Sequence, residues 1–238
     1  MSDGSREPAP DSIWLRPERA GRGPAPEHSR DEIAAAAVRL ADSGGLAAAS
    51  MRKVAESVGT GPASLYRYVR NRQELLSLMT DRVAAEVRHP EPSGDWVADL
   101  TAVARELVAA HVRHPWTLDV PVDPTDLGPR AVDHLERSLA ILAPVGAPAR
   151  RKLEAIAMVS GLAGLFARQV LAGHDPAAPE QQAAAAAHLA GIAAAGRHPH
   201  LTAAFADAPG EPADAPDAMF ERIVGGVLTG LLGLRGVS

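Results

Sequence analysis

The chain has 238 residues, a formal net charge of −5 at pH 7, 3% aromatic residues and no cysteine. The missing cysteines exclude disulfides, thiolate metal sites and cysteine nucleophiles, and the alanine-rich, aromatic-poor composition favours helices. The longest charge-free apolar stretches, 155–167 and 223–234, have 13 and 12 residues. Because a bilayer span needs roughly 18 or more, we expect a soluble, cytoplasmic protein without a membrane segment.

The predicted elements begin after a proline-rich segment. Residues 1–28 contain five prolines and charges of both signs, which is typical of a flexible arm. Ser29 opens a first helix through an S-x-x-E capping box, and Ser50 is a good N-cap for a second. Gly59 is suited to end that second helix in a left-handed turn. Asn71 and Glu74 predict another capping box at the start of a fourth helix.

Proline and glycine punctuate the remainder of the chain and set its predicted organisation. The sequence His-Pro-Glu-Pro ends the fourth helix near residue 90. We therefore predict an all-α protein in three parts: a flexible N-terminal arm over 1–28, a three-helix helix-turn-helix domain with its connecting fourth helix over 29–90, and a second helical domain over 91–238.

Two helices of the last part, predicted near 148–172 and 217–234, are apolar on more than one face. Each interior glycine costs a helix about 0.5–1 kcal/mol relative to alanine, so a face of glycines suggests close helix approach. A second copy of the chain could cover the faces that one copy leaves open, giving a homodimer through a four-helix bundle. The alternative is that both helices lie in a large intrachain core. The glycines concerned are Gly161, Gly164, Gly226, Gly230 and Gly233.

Residues 50–72, which we call the recognition segment, carry five cationic residues and one acid although the chain is acidic overall. Arg52 and Lys53 lie in the first turn of a helix, where cations oppose the helix dipole; a nearby phosphate would explain this arrangement. A small residue at Ala55, the turn at Gly59 and an apolar anchor at Leu65 form the pattern of a helix-turn-helix. The sequence thus predicts insertion into a DNA groove, and the arm over 1–28 either contacts that DNA or is a solvated tail.

With these residues in place, the region 29–83 resembles the tetracycline-repressor (TetR) family of bacterial regulators, and the later part resembles its C-terminal domain more loosely. An alanine- and arginine-rich chain with only two lysines is also typical of a GC-rich genome such as that of an actinomycete. The residues that carry the resemblance are Ile33, Ala36, Ala37, Ser50-Met51-Arg52, Val54-Ala55, Val58-Gly59, Ser64-Leu65-Tyr66-Arg67-Tyr68-Val69, Asn71-Arg72-Gln73-Glu74-Leu75-Leu76 and His114-Pro115-Trp116.

The resemblance implies DNA contacts at specific positions. We add Arg52 to them because a positive charge in the first turn of its helix is explained by a nearby phosphate. Arg67 could pair bidentately with a guanine, and Tyr66 offers a hydroxyl to phosphate; the alternative for Tyr66 is a core tyrosine. The full set of predicted DNA-binding residues is Ser50, Arg52, Pro62, Ala63, Ser64, Tyr66, Arg67, Tyr68 and Arg72.

The resemblance further implies that residues 29–90 are a DNA-binding domain and residues 91–238 a helical ligand-binding and dimerisation domain. It also implies a dimeric repressor that a small-molecule effector releases from a palindromic operator, with a ligand-responsive activator as the alternative. An all-helical enzyme is a weaker alternative, because no cluster of acids, bases and nucleophiles is visible. We expect no cofactor and no resident metal, although His111 and His114, three residues apart on a helix, could instead hold a metal or a polar ligand head. The predicted ligand-pocket residues are Met79, Val83, Leu107, His111, His114, Trp116 and His134.

Overall fold

A computed structural model describes residues 12–17, 28–121, 126–207 and 216–233. Within these ranges the chain forms ten α-helices and no strand, so the predicted all-α fold is confirmed. Short 3-10 helices lie at Ile13–Leu15, Leu46–Ala48 and Pro115–Asp119. The α-helices are α1 (Arg30–Gly44), α2 (Met51–Ser57), α3 (Pro62–Leu65), α4 (Arg72–Ala84), α5 (Trp96–Arg113), α6 (Pro129–Ile141), α7 (Ala149–Gly173), α8 (Ala178–Ala194), α9 (Pro199–Asp207) and α10 (Pro216–Leu232).

Helices α1 to α4 form a compact head whose ends follow the predicted caps. Ser29 and Glu32 form both halves of a capping box on α1, which satisfies two of the free N–H groups at the helix start. The Ser50 side chain accepts from the backbone N–H of Lys53 at the start of α2. Apolar residues of all four helices then meet in one core, which also continues into the C-terminal half of the chain.

The predicted capping box at α4 is only half present. The Asn71 side chain accepts from the Glu74 backbone N–H as predicted. The Glu74 carboxylate, however, is buried and accepts from the backbone N–H of Arg70 and from the guanidinium of Arg16, the latter at 2.5 Å. A charged partner from a distant part of the chain therefore replaces the local half of the box.

That partner lies in the predicted flexible arm, and residues 12–17 differ from the prediction. They form an ordered turn in which Ile13 is only 1% exposed and belongs to the main core. The Arg30 guanidinium donates to the carbonyl oxygens of Ile13 and Arg16, each at 2.9 Å. The turn is ordered because one apolar side chain and one ion pair anchor it. Residues 1–11 and 18–27 of the predicted arm lie outside the described residues.

The C-terminal half packs around α5, which contacts α7 and α10 along their lengths, while α6 crosses α4. Phe166 of α7 and Phe220 of α10 meet edge to face, with ring centroids 4.8 Å apart. Helix α9 has Pro199 at its first position. Proline is well tolerated there, since its missing N–H would have no partner in the first turn.

Helix α7 is the one described helix that is long and apolar enough, by length and composition alone, to cross a membrane. Only 28% of the residues in its apolar window are buried within the chain. Leu153, Met158 and Leu165 are exposed along it, and a side chain added at Gly161 would meet open space. One copy of the chain thus leaves a continuous apolar face of α7 uncovered.

Candidate functional site

The recognition segment takes its shape from four side chains with no exposed surface. Val54 and Ala55 of α2 pack against Leu65 and Val69, which follow the turn. The turn itself is made by Gly59, whose φ of 77° is a conformation that glycine adopts without strain. The Thr60 backbone N–H closes it by donating to the Ala55 carbonyl at 2.9 Å. This is helix-turn-helix geometry, held by local contacts.

The predicted DNA-binding side chains lie on the outside of this segment. Tyr66 is 51% exposed, so the core-tyrosine alternative does not describe it. Arg67 is exposed, and its guanidinium makes no hydrogen bond or ion pair with the described part of the chain. Tyr68 is half-buried and meets the ring of His28 edge-on at 6.4 Å. The other outward-facing residues are Arg52, Pro62, Ala63 and Arg72, which are exposed, and Ser50 and Ser64, which are half-buried.

Two of the predicted cations have structural partners as well. The Arg72 guanidinium donates to the carbonyl oxygens of Ala49 and Leu46, at 3.1 and 2.9 Å, and so attaches the start of α4 to the segment preceding α2. Arg52 pairs with Glu56 one turn along α2, at 3.3 Å and in an exposed position. Because guanidinium has five N–H donors, these contacts leave donors over for a phosphate.

A cavity of about 260 Å³ lies between the head and the C-terminal helices. Its walls are mainly apolar, with polar side chains at two places. The first polar group is Gln73, Ser77, Thr80, Asp81 and Asp126; the second is His111 and Thr117. The remaining lining residues are Val83, Ala84, Val87, Leu107, Ala110, Val120, Pro121, Leu127, Gly128 and Ala131.

Of the seven predicted pocket residues, the structure brings only Val83, Leu107 and His111 to this cavity. Met79 is fully buried in the core instead. Residues His114 and Trp116 point toward α1, so they do not share a cavity face with His111. The seventh, His134, packs against the ring of His89, with centroids 4.8 Å apart.

Sequence reasoning missed the buried carboxylate of Asp81, which joins α4 to α6. Its Oδ1 atom accepts from the backbone N–H groups of Arg130 and Ala131, at 2.9 and 3.0 Å. Helix α6 has no capping side chain of its own, because Gly128 occupies the N-cap position. Burial raises the pKa of Asp81 despite these hydrogen bonds. The sequence did contain a signal for this contact. A helix that starts at Gly128-Pro129 has no capping side chain of its own, so its first N–H groups need an acceptor from another part of the chain.

A second connection runs from the cavity to α1. The Thr117 hydroxyl donates to the His114 carbonyl at 2.7 Å, and its oxygen lies 2.7 Å from Nδ1 of His111. Two residues of the same short 3-10 region, His114 and Trp116, contact Oδ1 of Asp42 at 2.7 and 2.8 Å. One wall of the cavity and an anchor on α1 are thus parts of a single turn.

The histidines do not assemble a metal site. His111 contacts Thr117, whereas His114 lies between Asp42 and Glu86. Within the described residues, no three histidine or acidic side chains are grouped so that they could hold a metal ion. His134 is instead a half-buried neutral group, because desolvation lowers its pKa to about 4.

An exposed basic helix-turn-helix surface joined to a helical domain defines the class of helix-turn-helix DNA-binding proteins. Comparison with known families gives the narrower assignment. Residues 33–79 match the description "Bacterial regulatory proteins, tetR family", and residues 89–234 match "Tetracyclin repressor-like, C-terminal domain". The chain belongs to the TetR family, whose members are transcriptional regulators and are not known for catalysis.

Three of the similar proteins come from actinobacteria, in agreement with the genome type that the composition indicates. An HTH-type transcriptional regulator of Saccharopolyspora erythraea is 33% identical over 98% of this chain and 96% of its own length. The HTH-type transcriptional repressor DrrR1 of Streptomyces coeruleorubidus is 44% identical over 151 residues, which is 63% of this chain but only 56% of that relative. The crystal structure of Streptomyces coelicolor ActR in complex with actinorhodin matches 90% of this chain and 99% of that one, with 29% identity and a TM-score of 0.71.

Proposed function

We propose that this protein is a cytoplasmic transcriptional repressor that binds a palindromic operator as a homodimer and is released by a small molecule. The observation that carries the proposal is the recognition segment, which exposes Tyr66 and Arg67 on a helix-turn-helix scaffold. A repressor is favoured over an activator because a curated relative is named a repressor. A similar solved structure holds a small molecule, which supports ligand control.

The cavity is the proposed effector site. Its volume of about 260 Å³ lies just below the range of about 300–1,000 Å³ found for ligand pockets. Helix α4 supplies Ser77, Asp81 and Val83 to its wall. The same helix begins at Arg72, the last residue of the recognition segment, whose guanidinium also holds the Ala49 carbonyl just before α2. A ligand that binds one position of α4 more tightly than another shifts the population of that position, and the recognition segment moves with it.

The junction at Asp42 offers a second route for the same signal. Thr117 faces the cavity, while Trp116, the preceding residue, holds Asp42 of α1. A ligand that displaces this turn therefore changes the contact that holds α1 in place. Both routes use contiguous packed contacts, which is the physical means by which two sites share a free energy of coupling.

The dimer is proposed to form through α7 and α10. The alternative, a large intrachain core, is disfavoured because Met158 and Leu165 are exposed. Added side chains at Gly161, Gly226 and Gly230 would also meet open space within the chain. Covering this face with a second copy would place two recognition helices on one side of DNA, about 34–36 Å apart for successive major grooves.

A gel shift on DNA flanking the protein's own gene tests the proposal. Arg67→Ala should weaken binding by about 1–3 kcal/mol and relax the preference at one operator position, because a bidentate base contact is lost. The matched control is Arg70→Ala, which removes an exposed cation of the same segment. It should weaken binding less and keep the sequence preference.

Absence of any shift at low salt, on every flanking fragment, would reject the regulator. If Arg67→Ala and Arg70→Ala lost affinity equally and retained the same preferred sequence, the base contact at Arg67 would be rejected. The proposal that the protein is a DNA-binding regulator would not be affected by that result.

A further inference from the structure

The charges around the effector cavity are one-sided. Its described lining contains two acidic side chains, Asp81 and Asp126, and no lysine or arginine. Cations close to the lining residues have acidic partners: Arg16 pairs with Glu74, and Arg130 pairs with Asp31 and Asp81. Arg168, whose charge acts on His111, pairs with Asp119. An anionic ligand would therefore enter a low-dielectric site with no charge to meet its own, which is costly.

The two carboxylates do not have the same role. Asp81 is committed to capping α6 through two backbone N–H groups. Asp126 is half-buried and has no ion pair within the described part of the chain; its contacts there are the hydroxyls of Ser77 and, at 3.5 Å, Ser12. Because a carboxylate offers about four acceptor positions, Asp126 retains acceptor capacity at the cavity wall.

The other polar group of the cavity also accepts hydrogen bonds. The Thr117 hydroxyl donates its proton to the His114 carbonyl, so its oxygen accepts from Nδ1–H of His111. That tautomer leaves Nε2 of His111 as an acceptor. Burial lowers the pKa of His111, and the positive charge of Arg168 adds to this effect, so the ring is neutral. Hydrogen-bond acceptors are thus available at both polar parts of the cavity, at Asp126 and at His111, so a matching ligand carries hydrogen-bond donors.

We propose that the effector is a mainly apolar molecule carrying a basic amine, and that Asp126 is the residue that selects the ammonium group. This inference rests on the proposed function of the cavity as effector site. The apolar walls take up the hydrocarbon or ring portion of the ligand. A charge-assisted hydrogen bond from the ammonium to Asp126 replaces water that both groups lose, and the preference over a neutral analogue is about tenfold or more.

Calorimetric titration of the full chain, without DNA, tests the proposal with three probes on one ring system: naphthylmethylamine, naphthylmethanol and naphthoate. We expect the amine to bind about tenfold or more tightly than the alcohol and the naphthoate to bind most weakly. The isosteric Asp126→Asn should remove the preference for the amine and leave the alcohol nearly unchanged. Asp133→Asn, at an exposed acid of α6 outside the cavity, is the matched control and should keep the preference.

Three results would overturn the proposal: no binding of the amine, equal or tighter binding of the alcohol or naphthoate, or a preference that survives Asp126→Asn. Operator binding by the same preparation, measured separately by gel shift, distinguishes the two levels. A protein that binds its operator but shows no amine preference remains a repressor with a different effector class. A protein that binds no operator fails the proposed function itself, whatever the cavity takes.

Discussion

The recognition segment and the cavity are built in opposite ways. Residues 50–72 are shaped by buried side chains that lie close together in the sequence, and their functional side chains point outward with few internal partners. The cavity is assembled from α4, α5, α6 and two connecting segments, and its polar side chains hold these elements together. A surface of the first kind can lose a side chain and keep its shape. A site of the second kind changes the fold when one of its contacts is removed.

The largest expected effect comes from a substitution on α7. The exposed surface of the recognition segment is polar, whereas the exposed face of α7 is apolar and is the proposed dimer interface. Leu165→Glu places a charge on the proposed interface at a residue that is 63% exposed. Burying that charge without a partner costs several kcal/mol, so the dimer should dissociate and operator affinity should fall by about a hundredfold or more. Sedimentation velocity and a gel shift measure both quantities.

The control for this change is Val132→Glu on α6, an apolar residue that is 49% exposed and does not belong to the proposed interface of α7 and α10. It should leave both the assembly state and the affinity unchanged. A dimer that persists in Leu165→Glu would show that the α7 face is not the interface.

The joint between α4 and α6 tests how far the cavity depends on close packing. A methyl group added at Gly128 would lie 2.7 Å from the Trp14 ring and would also meet the Asp81 carboxylate. Overpacking of this kind costs typically about 1–3 kcal/mol, and we expect Gly128→Ala to lower the free energy of unfolding in urea by that amount. At Gly146 an added methyl group meets nothing within 4 Å, so Gly146→Ala should be nearly neutral. Equal stability of the two variants would contradict the close contact.

The junction at Asp42 can be tested by a double-mutant cycle. Asp42→Ala leaves the donors of His114 and Trp116 without their acceptor, which should cost about 1–3 kcal/mol. Combined with Trp116→Phe, the two losses should be less than additive by about 0.5–3 kcal/mol because they share one contact. Ser43→Ala, at an exposed neighbour, is the control in chemical denaturation. Full additivity would show that the two residues are not coupled.

The last prediction concerns how the free energy of unfolding depends on pH between pH 6.5 and about 4. Burial lowers the pKa of His134 to about 4 and also lowers the pKa of His89. Between pH 6.5 and about 4 the unfolded chain binds more protons than the folded one, so stability falls as the pH falls. For His134 the loss is at most about 3 kcal/mol. His134→Gln should flatten the profile of thermal melts in that window; an unchanged slope would contradict a desolvated, neutral ring at His134.

The same contrast explains what the sequence could and could not predict. Caps such as Ser29 and Ser50, and the glycine turn at Gly59, act within a few residues, so their pattern is visible in one stretch of sequence. The exposed face of the recognition helix follows from the same local spacing. These features were predictable because the physics that forms them is local.

The cavity depends on contacts between residues far apart in the chain. No periodicity places Asp81 at the start of α6, or Arg16 beside Glu74. For the same reason His111 and His114, close in sequence, were expected to act together but face different partners. Side-chain direction at a helix end is set by the elements packed against it, and a single stretch of sequence does not contain that information.

The most direct test of the account is a binding-site selection from random duplex DNA with the full-length protein. Two exposed recognition segments joined by a dimer predict enrichment of an inverted repeat, with half-site centres about 10–10.5 base pairs or a multiple of that apart. The same selection with Arg67→Ala should lose preference at one symmetric pair of positions. Enrichment of a single unpaired half-site, or no enrichment at all, would contradict the central claim that the chain recognises DNA as a pair.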